Sequence, residues 1–252
     1  MSEAFSYSWL ISQLDFLQTS HGLHSFESNP DHGVLLRHDV DFDVVPAFEL
    51  AQLESGKGLQ GTYFFLTTAE TYNPSSLSIR KMINEISVLG FEVALHFDPT
   101  VYETSDISIL KRRAGDEAKV LEDIVGKSVL SLSLHNPSVY GQYPKIEGYM
   151  NAYEPRLFSP ENYLSDSRML YHSEPVEFFS NMSSPLGQLL LHPMHYSATG
   201  ARYPTQMINY LERSAQKIHN SLIVNSEYRR LVPFGPDFDF SSLYGDTNIP
   251  GF

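Results

Sequence analysis

Aspartates and histidines stand at the carboxyl ends of five short apolar runs in this 252-residue chain. They are Asp39, Asp41, His96, Asp98, His135, Asp166 and His192. Histidine and carboxylate ligands suit Zn²⁺, Mn²⁺, Fe²⁺, Ni²⁺ or Co²⁺, and such an ion activates water and polarises a carbonyl group. Carboxylates and histidines outside the ligand set can then move protons. The pattern therefore predicts a metal-dependent, hydrolase-type site.

The apolar runs that carry these residues have the length and composition of buried strands. The predicted strands span 34–40, 60–66, 91–97, 128–135, 162–166 and 187–192. Helical patterns alternate with them, which predicts a mainly parallel sheet. We expect an α/β fold, an irregular (distorted) parallel β/α barrel of about six to seven strands, with an open doubly wound sheet as the alternative. In a parallel barrel the carboxyl ends of the strands meet at one mouth.

The helices and loops around these strands suggest one domain over residues 1–252, with its core over 34–196. An N-terminal helix is predicted over 6–21 and an irregular tail over 231–252. Further helices are expected to start near Pro46 and Pro74 and to be capped by Ser105 and Thr205. The long segment 136–160, rich in Pro, Gly and Tyr, is predicted to be an irregular loop that is either functional or mobile.

Composition limits the partners of the chain. Its formal net charge of −13 disfavours nucleic acid and anionic membrane surfaces, and the absence of cysteine excludes disulfides and Cys-ligated metal. The N-terminus lacks the features of a signal peptide, and no apolar stretch is long enough to span a membrane. We expect a cytoplasmic protein with a small-molecule or carbohydrate substrate. Aromatic residues, 13% of the chain, either line a sugar or fill the core; Tyr140, Tyr143 and His195 are the expected substrate contacts.

Some of these aspartates and histidines could instead have a purely structural role. Asp39 and Asp41 could cap the following helix, with Asp43 as a third candidate. His96 could be a hydrogen-bonded core residue, and His135 could brace the turn that follows it.

Six segments, taken in order, resemble the polysaccharide deacetylases with the NodB homology domain, which are carbohydrate esterase family four-like. They are LRHDVD (36–41), GTYFF (61–65), GFEVALH (90–96), SLHNPS (133–138), SDSR (165–168) and LLLHP (189–193). The resemblance covers most of 34–196. It implies a distorted β/α barrel and removal of N- or O-acetyl groups from amino sugars with a divalent metal, in a divergent member of the family.

The resemblance also implies catalytic roles. The first family motif carries a base and a metal-binding aspartate; here Asp39 is nearest the base position and Asp41 the ligand position, and the reverse assignment is open. His192 matches the family's general acid. Asp166 and Arg168 resemble the segment that orients that histidine, although the two could also form a structural ion pair.

The metal ligands implied by the resemblance are incomplete. The second family motif has two metal histidines one helical turn apart. His96 matches the first, but Thr100 occupies the second position, so Asp98 or His135 is the expected third ligand. Zn²⁺ is the expected ion, with Mn²⁺, Fe²⁺, Ni²⁺ and Co²⁺ as alternatives.

The functional hypothesis is therefore a metal-dependent hydrolase that removes an acetyl or similar acyl group from an amino sugar or a related amide. Asp39 would deprotonate the attacking water, and His192 would protonate the leaving amine. A catalytically inactive carbohydrate-binding member is the first alternative, because one metal histidine is missing. A metallohydrolase of another C–N or ester bond is the second.

Overall fold

This computed structural model, which describes residues 3–232, 235 and 237–240, contains a curled sheet of eight parallel strands. The strands are β1 (Leu23–His24), β2 (Gly33–Val40), β3 (Thr62–Leu66), β4 (Glu92–Phe97), β5 (Ser131–Leu134), β6 (Met150–Asn151), β7 (Tyr163–Ser165) and β8 (Leu186–Leu191). Their spatial order is β6-β5-β4-β3-β2-β8-β7, and β1 pairs with the start of β2. In the described part of the chain no pairing joins β6 to β7, so the barrel stays open there. The predicted fold class, a distorted parallel β/α barrel, is confirmed.

Eight α-helices accompany the strands in the described residues. They are α1 (Tyr7–Ser20), α2 (Val44–Ser55), α3 (Leu77–Val88), α4 (Ile107–Val125), α5 (Pro137–Tyr140), α6 (Pro175–Ser180), α7 (Tyr203–Leu222) and α8 (Ser226–Leu231). None of the described helices is long and apolar enough to cross a membrane.

The chain divides into two compact units, residues 1–200 and residues 201–252. The first contains the whole sheet and α1–α6, and with them the predicted core over 34–196. The second contains α7 and α8. The predicted single domain stays a prediction, and most of the predicted tail over 231–252 lies outside the described residues.

Helix starts differ from the predicted ones where a neighbouring residue makes the better cap. Asp106, not Ser105, caps α4, because its carboxylate accepts from the backbone N–H groups of Ser108 and Ile109. The Asn73 side chain instead closes a turn onto Ser75 N, so α3 starts at Leu77 and not at Pro74. Helix α7 starts at Tyr203, two residues before the predicted cap at Thr205.

Alternation along β2 decides which side chains enter the barrel. Successive residues of a strand point to opposite faces. Leu35 belongs to the inner apolar cluster together with Phe64 of β3, whereas Leu36 packs in the outer cluster beneath α1. Arg37 and Asp39 share the inward face with Leu35, and Asp41, just beyond the strand, continues their line. The alternation of side chains along β2 therefore places the carboxylates of Asp39 and Asp41 at the mouth of the barrel.

The outward face of β2 and β3 holds α2 through a buried polar triad. His38 Nε2 lies 2.9 Å from Glu54 Oε1, and the Tyr63 hydroxyl donates to Glu54 Oε2 at 2.8 Å. The His38 and Tyr63 rings stack with centroids 4.0 Å apart. These contacts fix α2 against the strand that carries the inward aspartates.

Candidate functional site

Three side chains from different strands converge at the mouth of the barrel. Asp41 follows β2, His96 lies in β4 and His135 follows β5. Asp41 Oδ1 lies 3.1 Å from His96 Nε2 and 3.3 Å from His135 Nδ1, and the two ring nitrogens are 3.1 Å apart. Nitrogen and oxygen ligands about 2.0–2.2 Å from a zinc ion at tetrahedral angles lie roughly 3.3 Å from one another. The triangle of donor atoms therefore has the dimensions of one face of a zinc site.

The protonation pattern of His96 also fits a cation. The Ser133 hydroxyl lies 2.8 Å from His96 Nδ1 and within 3.4 Å of both carboxylate oxygens of Asp39. Because the hydroxyl donates its proton to the carboxylate, it accepts from Nδ1–H, and the lone pair of the ring is left on Nε2. That lone pair faces Asp41 Oδ1, a buried atom without a hydrogen-bond partner among the described residues. Two facing lone pairs repel unless a proton or a metal ion joins them, and a donor set of one carboxylate and two imidazoles fits a divalent metal.

Asn136 supports His135 from behind. Its amide nitrogen Nδ2 lies 2.9 Å from Nε2 of His135, the ring nitrogen that does not face Asp41. Asn136 itself adopts a left-handed conformation, with φ 46° and ψ 39°, which Asn tolerates better than most residues. If Nδ1 is a ligand, Nε2 carries the proton, and a half-turn of the amide brings Oδ1 to the place of Nδ2, where it can accept that proton.

Asp39 is held by a buried arginine from its own strand. Arg37 donates from Nε and Nη2 to the two carboxylate oxygens at 2.9 and 2.7 Å. The guanidinium also donates to Gln188, Ser133 and the Tyr153 hydroxyl. Burial would raise the pKa of Asp39, but the charge of Arg37, the charge of His96 and the hydrogen bonds from Arg37 together outweigh it and lower the pKa. Asp39 is therefore a fixed, ionised carboxylate.

His192 and Asp166 form a second rigid pair. Asp166 Oδ1 lies 2.6 Å from His192 Nδ1, and Oδ2 accepts from the His192 backbone N–H at 2.8 Å. The other ring nitrogen, Nε2, lies 3.8 Å from Asp41 Oδ2. Burial would lower the pKa of His192, but the charge of Asp166 and the bond to it raise the pKa to about 9. The imidazole is thus held as a proton donor beside the three-residue cluster.

These groups open into one pocket of about 210 Å³ at the carboxyl ends of the strands. The cluster, Asp39 and His192 line it together with Asn136 and Ser167. Its aromatic wall consists of Tyr143, Tyr153, Phe158 and Tyr163, whose rings contact one another in sequence with centroids 4.8–6.1 Å apart.

Several predicted site residues lie elsewhere. Asp98 caps the 3-10 helix Pro99–Tyr102, where its Oδ1 accepts from the backbone N–H and the hydroxyl of Thr100. Arg168 is exposed and makes no ion pair with Asp166 in the described structure, and Tyr140 is 51% exposed in α5. His195 is buried with Nδ1 3.3 Å from Asp166 Oδ2. None of the four is among the residues that line the pocket.

The structure also settles the capping alternative, because Asp43 caps α2 by accepting from Val45 N at 3.0 Å. Asp39 and Asp41 instead point into the pocket.

Sequence reasoning missed Arg37, Ser133 and Tyr153 as parts of the site. The period of two in LRHDVD and SLSLH places Arg37 on the face of Asp39, and Ser133 on the face of His135, so this signal was available. Tyr153 follows a two-residue strand inside an irregular segment, where no periodicity marks it.

Comparison with protein-family models and with curated proteins finds no match. Among solved structures, the chain is similar to a mutant, with restored enzymatic activity, of a CE4 family pseudoenzyme from Bacillus anthracis (12% identity, TM-score 0.47). It is also similar to a polysaccharide deacetylase from Bacillus cereus (13%, 0.47) and to a family 4 acetyl xylan esterase from Clostridium thermocellum in complex with a cobalt ion (11%, 0.43).

These matches cover 74%, 73% and 73% of this chain and 64%, 89% and 84% of the respective structures. The chain thus spans about two thirds of the length of the first structure.

Proposed function

We propose that the chain is a metal-dependent hydrolase that removes an acetyl or similar acyl group from an amino sugar or a related amide. The observation that carries the proposal is the cluster of Asp41, His96 and His135, with donor atoms 3.1–3.3 Å apart. It stands between a fixed carboxylate, Asp39, and a fixed imidazole, His192. A hydrolase of amides needs these three parts: an electrophile, a base and an acid.

Asp41, His96 and His135 would hold the ion, with Zn²⁺ favoured and Mn²⁺, Fe²⁺, Ni²⁺ or Co²⁺ as alternatives. A divalent ion bound there supplies Lewis acidity, which polarises the acyl carbonyl and lowers the pKa of water. His135 replaces the second histidine of the resembled motif, whose position is occupied by Thr100. Asp98 Oδ1 accepts from the Thr100 hydroxyl at 2.6 Å and from its backbone N–H, so His135 is the proposed third ligand.

Asp39 is the proposed base. Its Oδ2 lies 3.6 Å from His96 Nε2, at the edge of the ligand cluster. The fork of Arg37 prevents its rotation and keeps it ionised, so it can accept a proton from the attacking water. Asp41, which has no such arginine partner in the described structure, keeps its oxygen atoms for the ion.

His192 is the proposed acid. A leaving amine has to be protonated, and the imidazole Nε2 faces the cluster at 3.8 Å from Asp41 Oδ2. Asp166 fixes both the ring and the backbone of His192, and is therefore a positioning residue. The predicted catalytic role of Arg168 stays a prediction without a contact that supports it.

The aromatic wall supports a carbohydrate substrate. Tyr143, Tyr153, Phe158 and Tyr163 present rings to the same pocket as the ionisable groups. Aromatic faces pack against the apolar faces of sugar rings, while hydroxyl groups such as that of Tyr153 offer hydrogen bonds.

Metal content and hydrolysis, measured together, test the proposal. The chain purified without chelator, and then supplied with micromolar Zn²⁺, is expected to bind one ion and to release acetate from N-acetylated amino sugars. His135→Ala should lose both the ion and the activity. Asp98→Asn is the matched control, since Asp98 serves as a helix cap, and it should retain the ion. Metal retained by His135→Ala but lost by Asp98→Asn would assign the third ligand to Asp98, and a wild-type chain without bound ion would favour a carbohydrate-binding protein.

A further inference from the structure

A second, larger pocket of about 530 Å³ lies beside the catalytic pocket. The two share Leu134, Tyr143 and Tyr153 as lining residues, so they are neighbours along one wall. Small-molecule sites typically measure roughly 300–1,000 Å³. The catalytic pocket, at about 210 Å³, is below this range, whereas the second pocket falls within it. The volumes favour a substrate that extends beyond the sugar that carries the acyl group.

The shared tyrosines connect the second pocket to the catalytic groups. The Tyr153 hydroxyl accepts from Arg37 Nη2 at 3.0 Å, and the Arg37 guanidinium carbon lies 4.7 Å from the centroid of the Tyr153 ring. The Tyr143 ring packs on Tyr153 at 5.7 Å and is 48% exposed. A ligand that follows these rings passes from the catalytic groups into the second pocket.

The charges of the second pocket differ from those of the chain as a whole. The chain has 30 acidic and 17 basic residues, excluding histidine. The pocket is lined by two basic residues, Lys145 and Arg156, and one acidic residue, Glu154. Lys145 is exposed and forms no ion pair in the described part of the chain. The pocket therefore has a basic excess within an acidic protein, a condition for binding an anion.

Arg156 is already oriented for such a ligand. Its Nε donates to Glu154 Oε2 at 3.2 Å, and its Nη2 donates to Asn29 Oδ1 at 2.7 Å. Neither bond uses Nη1. A guanidinium held on two sides loses little conformational freedom when it binds a third group, and its geometry suits phosphoryl and carboxylate oxygens.

We propose that this second pocket binds an anionic group, phosphoryl or carboxylate, on the part of the substrate attached to the acylated sugar, through Lys145 and Arg156. The proposal rests on the proposed function, since it names the substrate class of the same site. A substrate of this class is an N-acylated sugar phosphate, or an N-acylated sugar linked to an acidic sugar. Prolines and tyrosines of the pocket, Pro144 and Tyr143 among them, would pack on its rings.

Substrate selectivity tests the proposal. Wild-type protein with Zn²⁺ is given four acetylated substrates: N-acetylglucosamine, its 1-phosphate, a neutral disaccharide of it with glucose and an acidic disaccharide of it with glucuronic acid. At least one anionic substrate is expected to have kcat/KM about tenfold above its neutral counterpart, mainly through KM, and the preference should weaken with added salt. The two anionic substrates distinguish a phosphoryl from a carboxylate ligand.

Variants of the basic residues test whether the second pocket causes the preference for anionic substrates. Lys145→Glu is expected to abolish the anionic preference, and Arg156→Ala to reduce it several-fold. Lys81→Ala, an exposed lysine on α3, is the matched control and should preserve the ratio. Equal kcat/KM for anionic and neutral substrates in the wild type, or an unchanged ratio in Lys145→Glu, overturns the inference and leaves the proposed hydrolase intact.

A binding measurement keeps the two proposals separable. If no substrate is hydrolysed, the hydrolase proposal fails, and titration calorimetry with N-acetylglucosamine 1-phosphate and with the acidic disaccharide still decides the inference. Binding of either that weakens about tenfold in Lys145→Glu supports the anionic pocket, whereas equal binding to both proteins, or binding of neither, refutes it.

Discussion

Asp166 contacts His192 twice, through Oδ1 to the ring Nδ1 at 2.6 Å and through Oδ2 to the backbone N–H at 2.8 Å. One carboxylate thus fixes both the position of the residue and the rotation of its ring. Because Nδ1 is occupied, only Nε2 can exchange a proton with a ligand in the pocket. The pair gives His192 one orientation and one active nitrogen.

Asp166→Asn is expected to move the alkaline limb of the pH–rate profile to lower pH. A general acid works in its protonated form, so its contribution is present below its pKa and is lost as pH rises through it. Burial lowers the pKa of His192, but Asp166, with smaller contributions from Asp41 and Asp39, raises it to about 9, and without the charge of Asp166 the pKa falls. Profiles of kcat for an amide substrate, recorded for both proteins, check this. The same alkaline limb in both would show that another group is the acid.

His192→Ala is expected to lower turnover of amide substrates by about 10² or more with unchanged metal content. Acylated substrates with a good leaving group need no protonation and should lose much less. Metal analysis, kinetics with both substrate types and a thermal unfolding curve are the measurements, with the exposed His172→Ala as control. Loss of the ion would make His192 a ligand instead, and normal turnover of both substrates would turn attention to His195.

Asn136→Gly is expected to weaken Zn²⁺ binding by about 10–100-fold, because it removes the amide that holds His135 Nε2 but keeps the left-handed backbone available. Asn136→Asp offers a carboxylate oxygen as acceptor whichever way the side chain is turned, and should bind the ion much more tightly than the glycine variant. Competition with a chromogenic chelator measures both affinities. Equal affinity of wild type and Asn136→Gly would mean that His135 is positioned by its backbone alone.

Glu92→Gln is expected to stabilise the fold at neutral pH by about 1 kcal/mol or more. Burial raises the pKa of Glu92 above its ordinary value of 4.5, and Oε1 is buried without a hydrogen-bond partner among the described residues. A raised carboxyl pKa means that the protonated form is favoured in the fold, so stability falls as pH rises above about 4.5. Denaturant unfolding at pH 4.5 and 7 measures the free energy of unfolding at each pH. Between the two, this free energy should decrease less in the variant than in the wild type, or not at all. Glu147→Gln, at an exposed position, is the control.

Much of the architecture could be predicted because apolar runs and their polar ends are local features. Strands β2, β3, β4, β5 and β8 each contain enough apolar residues to show a pattern. Strands β1 and β6 have two residues each and show none; only the pairing partner makes them strands. Helix α6 has six residues and was missed for the same reason.

The site could be predicted as a set of strand ends but not as a set of ligands. Asp98 and His135 both follow a strand, and the sequence left the choice between them open. The backbone beyond each strand determines which of the two side chains faces Asp41. Asp98 caps the 3-10 helix that starts at Pro99. Asn136 adopts a left-handed conformation, and His135 before it faces Asp41. Arg37 could be placed on the inward face, but its partners Gln188 and Tyr153 are distant in the sequence and become neighbours only in the fold.

The pairing of β2 with β8 has a consequence for the order in which the site forms during folding. Strands β2 to β5 follow one another both along the chain and across the sheet, so Asp41, His96 and His135 can assemble from contacts of short range. Strand β8 pairs with β2, from which it is separated by most of the chain that forms the sheet. Closing so large a loop is slow. His192 enters with that last step. We therefore expect refolding chains to acquire affinity for the ion before they acquire hydrolytic competence, with a lag between the two that lengthens when the β2–β8 pairing is weakened.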